Sequence, residues 1–174
     1  GEDASSVHCP APSLGYSYDR HECVTSLITS TLPVTASVAV GSFVLWMLIG
    51  VGLGTWAALK RGRWQDRFAT IFSVVGVSFP TFFLGLISIL VFVIWTGILP
   101  FPQYVGITEN PVKWASALIL PWFVLAIISA ATYVRMTRNG VLEVMNEEFV
   151  RLGIAKGLKR RTLIVKYVMR AALV

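Results

Sequence analysis

Residues 34–59 read VTASVAVGSFVLWMLIGVGLGTWAAL, twenty-six positions without one ionisable side chain. A helix rises ~1.5 Å per residue and the hydrocarbon core of a bilayer is ~30 Å thick, so this tract crosses with residues to spare. Period-two alternation is missing, and a lipid-exposed backbone must satisfy its own hydrogen bonds. A helix is therefore expected here rather than a barrel strand.

Two more tracts have the same character. One runs from Thr70 to Trp95; another runs from Trp114 to Val134 and continues helically to about Met145. The whole 174-residue chain is 55% hydrophobic and 14% charged, with a mean hydropathy of +0.70. Soluble globular chains carry roughly 25% charged residues. The expected fold class is an all-α membrane protein, a polytopic helical bundle with three spans in these residues.

The basic residues orient it. Lys60, Arg61, Arg63 and Arg67 separate the first two spans, and nine more from Arg135 to Arg170 follow the third, leaving only Arg20 and Lys113 on the other side. Positive residues stay in the cytoplasm. Residues 60–68 and 139–161 are thus expected to be cytoplasmic, and 1–33 and 97–113 extracytoplasmic, in a multi-pass protein of the cell membrane. The net charge of +6 reflects this topology; no aromatic–basic module suggests nucleic acid. The division expected is an outer extension over 1–33, a bundle over 34–146, a short cytoplasmic helix over 147–158 and the start of another transmembrane helix over 159–174. A chain that opens on the outer face and stops within an amphipathic pattern is expected to belong to a longer protein.

The outer segment holds both cysteines, Cys9 and Cys23. They are candidates for a disulfide, whose closure would contribute ~3 kcal/mol. His8, Cys9, His21 and Cys23 match no common metal-finger spacing, so no metal is expected. In GVGLG, residues 50–54, glycines four apart suit close helix packing rather than a phosphate loop. Pro80 lies mid-span in SVVGVSFPTFFLG, where the expectation is a kink satisfied by neighbouring helices. Ser73, Ser78 and Thr81 are the candidate polar lining of a pathway. No HExxH, GxSxG or Walker lysine occurs, and no catalytic residue is named.

Residues 147–158, EEFVRLGIAKGL, suggest a short helix. Two acids favour its N-terminus. Phe149, Leu152, Gly153 and Lys156 share one face, Val150, Ile154 and Leu158 an adjacent one, and Gly157 can end it in the left-handed conformation. A second helix, starting near Thr162, carries Leu163, Ile164, Tyr167, Val168, Ala171 and Ala172 as its stripe. Periodicity leaves two readings open: a basic amphipathic segment resting on anionic lipid, as in a membrane anchor or scaffold, or a knob for a protein socket.

FVRLGIAKGLKRRTLIVKYVMRAAL, preceded by YVRMTRNGVLEVMNEE, resembles the cytoplasmic loop of binding-protein-dependent ABC importer permeases. It is most similar to the B-type permeases of the dipeptide/oligopeptide/nickel group. AALKRGRWQDR and SFPTFFLG match that group in order and spacing, so the resemblance covers roughly 33–174 and leaves 1–23 unaccounted for. The family's EAA loop ends in a glycine that falls on Gly157. Arg151, Leu152 and Gly153 stand at the Glu-Ala-Ala positions without matching them. The resemblance implies a coupling helix formed by Phe149, Val150, Arg151, Leu152, Gly153, Ile154, Ala155, Lys156, Gly157 and Leu158. Phe149, Leu152 and Ile154 would be apolar anchors, with Arg151 and Lys156 at the rim. It also implies two ATPase subunits that bind ATP and Mg, a second permease subunit, an extracytoplasmic binding protein and six spans in the full protein. Its implied cargo is peptide, with nickel or another small solute as the alternative.

Overall fold

The computed structural model describes residue 9 and residues 11–101 and 103–173. Of the residues named above, His8 lies outside them. Two compact units divide the chain, Gly1–Val40 and Gly41–Val174.

In the first unit, a two-residue strand β1 (Tyr16–Ser17) pairs antiparallel with β2 (Glu22–Cys23). His21, in the intervening turn, adopts φ 55°. A disulfide joins Cys9 to Cys23 across a Cα–Cα distance of 5.8 Å. Both sulfurs are therefore spent and cannot serve as thiolate ligands. The Thr25 hydroxyl donates to the Pro12 carbonyl at 3.0 Å and accepts from the Leu14 amide at 3.2 Å, tying the loop to the helix that follows.

That helix, α1, spans Val24–Leu59 and so begins ten residues before the expected start of the bundle. Its hydroxyls bond to the helix itself. Thr29 donates to the Thr25 carbonyl at 3.0 Å and Thr35 to the Thr31 carbonyl at 3.1 Å, while Ser37 donates to the Pro33 carbonyl at 2.6 Å. Hydroxyls bonded to the preceding turn are satisfied within the helix, so a Ser/Thr-rich stretch that reads as loop is tolerated as helix. The thirty-six residues extend about 54 Å, well beyond a hydrocarbon core of ~30 Å.

The second unit is organised around α4 (Pro111–Val144), which Asn110 caps by accepting from the amides of Val112 and Lys113. Small residues let other helices approach it. A Cβ added at Gly50 would stand 2.6 Å from the Tyr133 Cβ, and one at Gly54 would stand 2.8 Å from the Val134 carbonyl oxygen. The close packing expected of residues 50–54 is present on those two glycines, whereas Gly52 faces open space. Helix α2 (Trp64–Ser78) meets α4 in the same way, with Gly76 against Ala131.

Between α2 and α3 (Thr81–Ile89, prolonged by a π-helical turn over Leu90–Trp95) the axis turns by 99°. This corrects the expectation of a simple kink. Proline disfavours the helical region for the residue before it, and Phe79 is extended at φ −92°, ψ 131°. Pro80 is itself extended at φ −61°, ψ 141°, and its carbonyl accepts from the amides of Phe83 and Leu84 to start α3 afresh. Two consecutive non-helical residues break a helix; one missing donor would only bend it. The described residues thus hold two helices long and apolar enough to span, α1 and α4, and three spans if the bent pair counts as one.

Candidate coupling site

After α4, the chain turns at once. The amides of Met145, Asn146 and Glu147 donate to Val141, Glu143 and Val144, and the Asn146 side-chain amide donates to the Leu142 carbonyl at 3.0 Å. A short helix, α5 (Glu148–Ala155), follows. It ends in paired bonds characteristic of a Schellman motif: Gly157 N–H to the Ile154 carbonyl at 2.9 Å and Leu158 N–H to the Gly153 carbonyl at 3.1 Å. The motif needs a left-handed residue, and Gly157 supplies it at φ +76°.

Helix α5 has two apolar sides with different surroundings. Val150 is 1% exposed and joins Ala58, Val141, Leu163 and Val168 in one cluster. Gly153 is buried so closely that an added Cβ would meet Leu163 Cδ1 at 2.7 Å. Phe149, Leu152 and Ile154 lie outside that cluster and are exposed by 41%, 60% and 62%. Arg151, Ala155 and Lys156 are exposed beside them, and Leu158 closes the end. The ten residues named from sequence therefore separate by role. Val150 and Gly153 seat the helix on its own chain, Gly157 terminates it with Leu158 folded back beside Gly153, and the remaining six form the exposed surface.

Arg160 starts the next helical run, two residues ahead of the expected Thr162. It passes from α6 (Arg160–Thr162) through a π-helical turn (Leu163–Val168) into α7 (Met169–Ala172). Leu163 and Val168 are buried, while Tyr167 is exposed. A groove of about 450 Å³ opens between Phe149 and Lys166, Tyr167, Arg170 and Ala171. On the far side, Gly140 lies against Ala172, whose carbonyl oxygen would be 3.0 Å from an added Cβ. Helix α5 is thus held between the end of α4 and this run.

The candidate pathway residues do not share one environment. Ser73 is buried and donates to the Ala69 carbonyl at 2.9 Å, so it belongs to the packed face of α2. Ser78 and Thr81 are exposed and flank the break at Phe79–Pro80.

One ion pair escapes a reading by motif. Arg138 on α4 donates from Nε and Nη2 to the two carboxylate oxygens of Asp66 on α2, the latter at 3.0 Å, and the Gly62 amide donates to Asp66 Oδ2 at 2.9 Å. A signal was present, because Asp66 is the sole acid between Glu22 and Glu109 and stands among basic neighbours.

Spanning helices packed through glycines, with basic connections and a short two-faced helix between them, define a polytopic α-helical membrane protein. The chain belongs to the family of binding-protein-dependent transport system inner membrane components, which matches residues 50–174. Residues 1–39 match the N-terminal region of the membrane component of binding-protein-dependent transport systems, which accounts for the segment outside the motif resemblance. A Brucella abortus permease protein named for a peptide transport system is 33% identical over 161 residues, 92% of this chain and 51% of the relative. The oligopeptide transport system permease protein OppB of Haemophilus influenzae is 33% identical over 162 residues, covering 93% and 50%. The glutathione transport system permease protein GsiC of Escherichia coli O6:H1 is 32% identical over 161 residues, covering 92% and 50%. The chain spans about half the length of the curated relatives it matches.

Proposed function

We propose that the chain serves as a permease subunit of an ATP-driven importer in the cytoplasmic membrane, with small peptides as cargo. Peptide is favoured because the relatives are named for peptide, oligopeptide and glutathione, the last itself a modified tripeptide. Transport rather than catalysis is the role assigned to this subunit. ATP and Mg are assigned to two partner ATPase subunits, the second half of the pathway to another permease, and cargo delivery to an extracytoplasmic binding protein.

The observation that supports this reading most is the division of α5 between an inward and an outward face. Val150 and Gly153 bind it to the bundle, whereas Phe149, Leu152 and Ile154 remain uncovered. An apolar face of this kind costs solubility unless a partner covers it. A rod anchored on one side and gripped on the other transmits rigid-body motion, as alternation between inward- and outward-facing states requires. The nucleotide-driven approach of two ATPases would supply the force, and differential contacts in the two states would set the coupling.

Leu152→Asp tests the proposal, because it leaves the inward face untouched. Uptake of a labelled di- or tripeptide by cells carrying the full transporter should fall at least about tenfold, the effect of losing roughly 1.4 kcal/mol at an apolar contact. Copurification of the ATPase subunits should weaken in parallel. Wild-type uptake with normal membrane levels of the variant would remove α5 from the mechanism.

A further inference from the structure

Four cations from two distant parts of the chain line one groove. Lys60, Arg61 and Arg63 come from the turn between α1 and α2, Arg160 comes from the start of α6, and with Leu59 they surround a cavity of about 270 Å³. Like charges gathered in this way repel one another unless an anion lies among them. Among the described residues none of the four forms an ion pair. The single acid near the turn, Asp66, already holds Arg138 and the Gly62 amide. Asp66 also attracts Arg61 at longer range, but no carboxylate among the described residues forms an ion pair with any of the four, so most of the positive charge in the groove is left uncompensated.

Depth indicates what supplies the rest. Leu59 is the last residue of α1, where the spanning helix meets the basic side. Trp56 and Trp64 flank the turn, partly to largely exposed, with ring centroids 5.4 Å apart edge to face. Exposed tryptophans at the end of an apolar helix mark the headgroup layer, where an indole sits between acyl chains and water. The abundant anion in that layer is the phosphodiester of an acidic phospholipid, and basic pockets between helices on the cytoplasmic side suit such headgroups. We propose that this groove binds the headgroup of an anionic phospholipid, its phosphate held by Lys60, Arg61, Arg63 and Arg160 and its glycerol end against Leu59 and Trp56. Arginine contributes a planar, bidentate fit to phosphate oxygens, and lysine a point charge. Inorganic phosphate shares the chemistry but lacks the acyl chains that would hold it at this depth. The proposal rests on membrane insertion alone, so it stands or falls apart from the transport reading.

The test uses the full-length protein as purified from its membrane, reconstituted in nanodiscs of mixed phosphatidylglycerol and phosphatidylcholine. Native mass spectrometry reads which lipid the released protein retains. Retention of phosphatidylglycerol by Arg63→Gln/Arg160→Gln should weaken about 30-fold, the effect of two surface cations. Arg67→Gln/Arg161→Gln removes the same charge from neighbours outside the groove and should stay within about twofold, since exposed charges are screened. Arg63→Lys/Arg160→Lys should retain the lipid, which separates loss of charge from misfolding. Equal loss in both glutamine pairs would mean a diffuse positive surface and overturn the site. Equal retention of the two lipids by the wild-type protein, or displacement of phosphatidylglycerol by millimolar inorganic phosphate, would overturn the lipid as ligand.

Discussion

At the scale of single residues, Gly52, Gly54 and Gly157 carry different weights. Gly52 meets nothing within 4 Å, whereas a Cβ at Gly54 would lie 2.8 Å from a backbone carbonyl on α4 that cannot swing aside. Gly54→Ala should therefore destabilise the bundle by about 1–3 kcal/mol through overpacking. Gly52→Ala should be neutral or stabilise by about 0.5–1 kcal/mol, because alanine is the better helix former. Thermal unfolding of the two variants in the same detergent decides between them, and equal melting points would contradict the packing described. Gly157 differs again, with no close neighbour but φ +76°. Gly157→Val should cost about 1–2 kcal/mol through the left-handed backbone alone, more for its branched Cβ. Peptide uptake should drop with it, while Gly157→Asn should retain more of both, since asparagine tolerates that region. Identical behaviour of valine and asparagine would show that conformation is not what this position requires.

At the scale of elements, sequence and structure agree where one physical rule dominates and part where two compete. Hydropathy placed the apolar tracts within α1 and α4, because about twenty uncharged residues in lipid satisfy their backbone only as a helix. It could not tell the two faces of α5 apart: Val150 and Ile154 read as one stripe, yet Val150 is buried and Ile154 is 62% exposed. The distinction depends on Leu163 and Val168, which the chain brings back only after Gly157. Pro80 was legible as a perturbation, but its size was not, since the restriction on Phe79 adds to the missing amide. Pro80→Ala removes both effects. Spin labels at Thr70 and Leu90, roughly 20 Å apart across a right-angle bend, should move toward the ~30 Å of a continuous helix. An unchanged distance in the alanine variant would assign the bend to packing against α4.

At the scale of the whole second unit, α4 is the element on which the others converge. Gly50 and Gly54 bring α1 to it, Gly76 brings α2, and Gly140 receives the terminal run at Ala172. Such contacts are apolar and shallow, and helices in lipid associate by packing without a hydrophobic drive. They resist separation more than sliding. Asp66 and Arg138 add the directional element: a paired, hydrogen-bonded tie whose side chains are 10% and 23% exposed, on the segment of α4 that leads into α5. Asp66→Asn leaves the guanidinium without its charge partner in a partly buried site, and should destabilise by about 2 kcal/mol, less than a fully buried pair would lose. Arg138→Gln should cost a similar amount, and the double variant should recover part of the sum, with a coupling of about 1 kcal/mol between the two sites. Chemical unfolding of the four proteins measures that coupling directly. Strict additivity would reduce the pair to two independent surface charges, and α2 and α4 would then be held by their small residues alone.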